Sequence, residues 1–143
     1  MAKPILISGI QPSGRLHIGN YLGALKNFVD LQDSGKYECY FFIADLHALT
    51  EPFNRENVPL LETEYLAGGL DQKKSTLFVQ SEIVEHLKLA WILLTLTPHG
   101  ELERMTQFKE KGENKALANM GIFNYPVLMA ADIILYDAAF VPV

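Results

Sequence analysis

The chain has 143 residues, 49% of them apolar and 20% charged, and 12 Lys and Arg against 17 Asp and Glu give a formal charge of −5. A length near that of a common domain, with this apolar share, supports a real core and excludes a disordered or fibrous chain. The acidic balance makes the surface as a whole a poor trap for nucleic acid, so any such contact must be local.

Ile5-Leu6-Ile7 reads as a short strand that stops at a turn, Ser8-Gly9. A helical period follows, with Ile18, Tyr21, Leu22, Leu25, Phe28 and Val29 at steps of three and four, and Gly35 closes it. Cys39 to Ala44 is continuously apolar, as in a strand covered on both faces. Asn54 or Asn57 can cap the next helix, with Pro59 in its first turn and Gly68-Gly69 ending it. Thr76 to Gln80 reads as a third strand, and Ser81 as the cap of a helix running to Leu96. Pro98-His99-Gly100 breaks that helix, and Glu101 to Lys111 reads as a charged one before a loop over 111–115. Pro126 opens a strongly apolar helix to Tyr136, and Phe140 to Val143 begins another strand. This alternation predicts an α/β fold built on a mostly parallel sheet. A last strand with nothing after it to cover its edge predicts that the chain is the first part of a longer protein.

The single cysteine, Cys39, excludes an internal disulfide and a multi-cysteine zinc site, and lies in an apolar run as a buried inert thiol would. Histidines 17, 47, 86 and 99 include no pair three or four apart, so no protein-held metal is expected. No apolar run reaches the ~20 residues of a membrane span, and the N-terminus is interrupted too early for a leader. A cytoplasmic location without membrane contact is the default expectation.

Three constellations can carry chemistry. Gly9 to Gly14 leads directly into His17-Ile18-Gly19-Asn20 and the first helix. Unpaired N–H groups and the dipole at a helix start favour an anion such as phosphate. His17 and Asn20 share one face of that turn, and Gln11 lies just beyond the carboxyl end of the strand, where open α/β sheets bind ligands. A turn in which His17 and Asn20 only cap the helix explains the same residues. The glycine spacing is neither a Walker loop nor a dinucleotide fingerprint. Asp45-Leu46-His47 follows the second strand at the same sheet edge, either as site residues or as a capping Asp beside an ordinary half-buried histidine. The sharpest feature is Asp132, the one carboxylate in an otherwise apolar helix, with no basic residue within a turn of it. A buried carboxylate must be paired or kept protonated, so Asp132 needs a partner from elsewhere in the chain or a ligand with an N–H to give. Met129, Ile133 and Ile7 can build an apolar slot around it that suits a flat aromatic ligand. Outward exposure of Asp132 is the competing reading.

Taken in order, Ser8 to Gly14 with His17 to Tyr21, Asp45 to Thr50, Gly100 to Lys111 and Tyr125 to Ile133 resemble the N-terminal part of bacterial-type tryptophanyl-tRNA synthetases, which are class I aminoacyl-tRNA synthetases. His17-Ile18-Gly19-Asn20 matches the class I HIGH motif, with Asn20 at the last position as in this subfamily. The resemblance implies a Rossmann-like nucleotide fold, truncated here, with a largely helical insertion. It divides the chain into a first catalytic part over 1–50, a connective insertion over 51–123 that carries a homodimer contact, and a return to the catalytic domain over 124–143. It implies ATP-dependent activation of L-tryptophan to tryptophanyl-adenylate and transfer to tRNA(Trp). His17, Asn20 and Lys111 would be the catalytic groups, and Gln11, Pro12, Ser13, His17, Gly19 and Asn20 would meet ATP, with Mg2+ carried by the phosphates. Ile7, His47, Met129, Asp132, Ile133, Val141 and Val143 would line the indole pocket, with Asp132 accepting the indole N–H. The family's Gly-x-Asp-Gln segment, KMSKS loop and anticodon-binding helices have no match here, so the chain alone is expected to bind its substrates weakly and to be inactive. A non-catalytic tryptophan- or ATP-binding half-domain and a tyrosyl-type ligase are the alternatives.

Overall fold

The computed structural model describes residues 2–105 and 119–142. Three parallel strands, β1 (Ile5–Ile10), β2 (Glu38–Ile43) and β3 (Ser75–Val79), form one sheet in the order β1-β2-β3. Ile7 pairs with Tyr40, and Phe42 pairs with both Gly9 and Phe78. Beyond the other edge of β1, Phe140 makes a single parallel bridge to Leu6, fixed by Ile7 N–H on Phe140 O at 3.0 Å and Ala139 N–H on Ile5 O at 2.9 Å. Among the described residues the strand expected from Phe140 onward is this one bridge.

The alternating side chains of β2 explain its unbroken apolar run. Leu6, Cys39, Phe41 and Ile43 point to one face, where they pack with Leu25, Phe28, Leu61 and Tyr65. Ile7 and Phe42 point to the other, against Phe78, Ile133 and Tyr136. Cys39 is buried there and its thiol pKa is pushed up by burial, as expected of an inert core thiol.

The first crossover is a continuous helical run in three parts. These are α1 (Ile18–Asn20), a π-helical turn over Tyr21–Leu25, and α2 (Lys26–Asp33). Gly35, at φ 64°, takes the left-handed conformation that ends it. After β2 come α3 (Asp45–Ala48) and α4 (Asn57–Ala67), then β3, a 3₁₀ turn over Gln80–Glu82, α5 (Glu85–Leu96) and α6 (His99–Glu103). The helix expected to start at Ser81 therefore begins only at Glu85, because Gln80–Glu82 turns more tightly first. The break expected at Pro98 is present, since α5 ends at Leu96; Pro98 is then the N-cap residue of α6, which starts at His99 rather than at Glu101.

The last helix, α7 (Met120–Ile134), begins before the expected opening at Pro126, which lies inside it. Asn119 starts it by accepting the Ile122 N–H at 3.0 Å, and its amide also donates to Thr50 O at 2.9 Å. Proline favours a first turn, but a good cap upstream outweighs that preference. At its far end Asp137, at φ 50°, turns the chain back so that Phe140 reaches β1. One further difference concerns the expected division at residue 51. β3 lies inside the span 51–123 yet is a full strand of the same sheet as β1 and β2.

Candidate functional site

The loop after β1 is built from both ends. Asn57 of α4 donates its amide to Pro12 O at 3.1 Å, and Glu64 of the same helix accepts the Leu16 N–H at 3.1 Å. Within the loop, Ser13 N–H donates to Gln11 O at 2.8 Å. His17 then caps the helix. Its Nδ1 accepts the N–H groups of Gly19 at 3.1 Å and Asn20 at 3.4 Å, while Asn20 Oδ1 accepts the His17 N–H at 3.2 Å. The capping reading is thus realised, and it does not remove the other one. An acceptor at Nδ1 puts the proton of the neutral ring on Nε2, so exposed His17 keeps a donor for an anion.

At the end of β2, Asp45 opens α3 and its Oδ1 accepts the Ser81 N–H at 3.0 Å, tying this edge to the turn that follows β3. One step further, His47 is buried and its Nε2 lies 2.8 Å from Asp132 Oδ2. Asp132 is 3% exposed, so the outward-facing alternative falls away. The partner that the helix itself does not supply comes from three other elements. His47 donates from α3, Gln80 Nε2 from the 3₁₀ turn reaches Oδ1 at 2.8 Å and Oδ2 at 2.9 Å, and His86 Nδ1 from α5 reaches Oδ1 at 2.6 Å. Burial pushes the Asp132 carboxyl up, but the hydrogen bonds from His47, His86 and Gln80 outweigh it and hold the group below its ordinary value. Asp132 is therefore an ionised, buried acceptor. Three protein donors make four contacts with its two oxygens, since Gln80 Nε2 reaches both.

The carboxylate also borders a cavity. Ile7, Gln11, His47, Met129, Asp132, Ile133 and Val141 line one space of about 390 Å³. It lies at the carboxyl ends of β1 and β2, between them and the Val141-Pro142 stretch that crosses to the other side of β1. Open α/β sheets bind ligands at such a crevice. Its volume falls in the range of small-ligand pockets. Seven of the sequence-derived residues thus come together. Pro12, Ser13, His17, Gly19 and Asn20 do not line this cavity; they form the loop and helix start that follow Gln11. Lys111 and Val143 lie outside the described residues.

The sequence reading overlooks the back of the site. Gln80 and His86 are fully buried, and Tyr136 completes the set with its hydroxyl 3.0 Å from His86 Nε2. It also overlooks Gly9, Asn27, Phe42 and Tyr125 on the cavity wall. A histidine on an apolar helix was a usable signal for His86; nothing local marks Gln80. Gly9 has a steric reason. A Cβ there would stand 2.7 Å from Phe42 O and 2.9 Å from the Phe42 ring. Among the described residues no group of three or more His, Cys, Asp or Glu side chains is placed to hold a metal ion, and no helix is long and apolar enough to cross a membrane.

Comparison with known proteins follows the same lines. The family described as class I tRNA synthetases (W and Y) matches residues 1–143. A tryptophan–tRNA ligase of Caldanaerobacter subterraneus is 54% identical over 142 residues, covering 96% of this chain and 43% of the relative. One from Tropheryma whipplei is 50% identical over 146 residues, covering 99% and 43%. The crystal structure of tryptophanyl-tRNA synthetase from Campylobacter jejuni complexed with ADP and tryptophan superposes with a TM-score of 0.89 at 43% identity, over 96% of this chain and 44% of that one. The chain therefore spans about 43% of the length of the curated relatives it matches.

Proposed function

The chain belongs to the class I tRNA synthetases of the tryptophan and tyrosine branch, and from that membership we propose that it forms the small-substrate part of a tryptophan–tRNA ligase. In this reaction a tryptophan carboxylate oxygen attacks the α-phosphorus of Mg-ATP. Pyrophosphate leaves with its magnesium, and a ribose hydroxyl at the 3′ end of tRNA(Trp) then displaces AMP from the adenylate. The observation that carries the reading is the ionised carboxylate of Asp132, buried, held by three donors and bordering a largely apolar cavity. An indole ring seated between Ile7 and Ile133 would donate its N–H to that carboxylate. Relatives about half identical to this chain and named as tryptophan ligases support indole over a phenol.

The chain's own groups would act by placement and charge. Gln11, Pro12, Ser13 and Gly19 would shape the ATP loop, Asn20 would hold its capped geometry, and the Nε2–H of His17 would donate to a phosphate oxygen. Lys111 would add charge to the transferring phosphate. Magnesium would ride on the phosphates. The domain reading places the nucleotide fold over 1–50 and 124–143, with the region around α5 and α6 carrying a homodimer contact in a cytoplasmic enzyme. Exposed Val84, Leu87, Trp91 and Leu96 on and beside α5 support that contact.

Calorimetric titration of the chain with L-tryptophan and with ATP tests the proposal. Tryptophan binding that Asp132→Ala abolishes, in a variant whose circular dichroism stays native, is the expected result. A wild-type chain that takes up neither ligand would overturn it.

A further inference from the structure

We propose that Gln80 and His86 are positioning residues that aim the Asp132 carboxylate into the cavity and so set the discrimination between an indole nitrogen and an apolar isostere. The inference rests on the reading that Asp132 accepts the indole N–H.

Neither side chain lines the cavity, and both are fully buried behind it. They can act on a ligand only through the carboxylate. Gln80 Nε2 straddles the two oxygens at 2.8 and 2.9 Å, which fixes the plane of the group from one side. His86 Nδ1 meets Oδ1 at 2.6 Å, a short charge-assisted bond. The imidazole has no freedom to turn. Its ring centre lies 5.5 Å from that of Tyr136, 6.0 Å from Phe78 and 6.3 Å from Phe42. Because a carboxylate only accepts, Nδ1 carries the proton, and Nε2 of the neutral ring then accepts from the Tyr136 hydroxyl 3.0 Å away. With Oδ1 held by His86 and Gln80, and Oδ2 by His47 and Gln80, the orientation of the carboxylate at the cavity is determined by the protein before any ligand arrives.

Gln80 shows that this arrangement is imposed. Its Oε1 is buried without a hydrogen-bond partner, the single such side-chain atom among the described residues. Orphaned buried acceptors are costly, and a native one calls for an explanation. The other amide orientation would set Oε1 against the carboxylate, so the charge on Asp132 dictates the one observed. Asp45 holds the turn that presents Gln80 by accepting the N–H of Ser81 at 3.0 Å.

The test compares L-tryptophan with β-(3-benzothienyl)-alanine, in which sulfur replaces the indole N–H, by calorimetric titration of the chain. Wild type should prefer tryptophan by on the order of 100-fold. Gln80→Leu and His86→Leu should lower that ratio about 10-fold, weakening tryptophan while the isostere stays within about 3-fold. His86→Asn, which keeps a donor near the position of Nδ1, should restore most of the ratio. If His86→Leu does not fold, Gln80→Leu with His86→Asn carries the comparison. Variants that bind both ligands more weakly at an unchanged ratio would assign these residues a packing role only and overturn the proposal. A wild-type ratio near one would instead overturn the indole reading of Asp132 itself.

Discussion

Tyr65 ties the two strands that frame the site, and its loss should be felt there first. Its ring is buried in the core, and its hydroxyl accepts the Ile10 N–H at 3.0 Å and donates to Phe42 O at 3.0 Å. Tyr65→Phe removes one oxygen and leaves the packing of the ring in place. The Ile10 N–H, a single donor with a single partner, is then orphaned at a cost of about 1–3 kcal/mol. Phe42 O loses one acceptance, about 0.5–1.5 kcal/mol. A loss of about 2–4 kcal/mol is large against a total stability of about 5–15 kcal/mol, and should lower the melting temperature by about 6–15 °C. Burial raises the hydroxyl pKa well above its ordinary value, so the group is a protonated donor throughout the neutral range and the deficit should not vary between pH 6 and 9. Urea unfolding followed by far-ultraviolet circular dichroism measures the loss, with an unchanged m-value. A midpoint within about 0.3 kcal/mol of wild type would refute the claim that this hydroxyl closes the sheet edge. Because Ile10 precedes Gln11 and Phe42 lines the cavity, tryptophan affinity should fall in the same variant.

Acid stability reports on Asp132. Its folded pKa lies below the unfolded value near 3.9, so its contribution is complete above that value and disappears as pH falls through the lower, folded one. Urea midpoints between pH 2.5 and 6 should drop in wild type and drop less steeply in Asp132→Asn; parallel curves would argue against an ionised Asp132. Gly9→Ala forces a methyl to 2.7 Å from a backbone oxygen, which a flexible side chain cannot relieve, and should cost about 1–3 kcal/mol together with tryptophan affinity. A variant of wild-type stability and affinity would show that the strands separate freely at that point. His17→Ala removes a side-chain cap worth about 0.5–2 kcal/mol and should weaken ATP binding while leaving tryptophan binding intact. Equal losses for both ligands in paired titrations would contradict the division of labour between the loop and the cavity.

Much of this site is visible along the chain because its physics is local. A strand buried on both faces must be apolar throughout, and Cys39 to Ile43 reads that way. A turn followed by His17 and Asn20 at a spacing of three suits a helix start whatever lies beyond, and both residues do cap it. The boundaries that shift do so where tertiary contacts outweigh local signals. Asn119 anchors α7 to Thr50 and lengthens it upstream of Pro126, while Asp45 captures Ser81 and turns an expected helix cap into a 3₁₀ turn. The placement of Gln80 and His86 beside Asp132 is not legible for a different reason. Their sequence neighbours are ordinary, and only the register of β3 beside β2, with α5 folded back on α7, brings them to Asp132.

That register matters for how the fold keeps a charge in its core. An ionised carboxylate 3% exposed would be prohibitively costly without partners, and no cation lies within a turn of it on its own helix. The donors reside on α3, on the turn after β3 and on α5, so the charge is tolerated only while all of these elements are docked together. The span beginning at residue 51 thus supplies two of the partners of Asp132, Gln80 after β3 and His86 on α5. Any motion that separates α5 from α7 would break the His86 bond, raise the carboxyl toward its protonated form and remove the acceptor for an N–H donor. On the proposed reading, affinity for tryptophan and the packing of α5 against α7 are therefore coupled through one buried side chain. A ligand that hydrogen-bonds Asp132 should in turn hold those elements together.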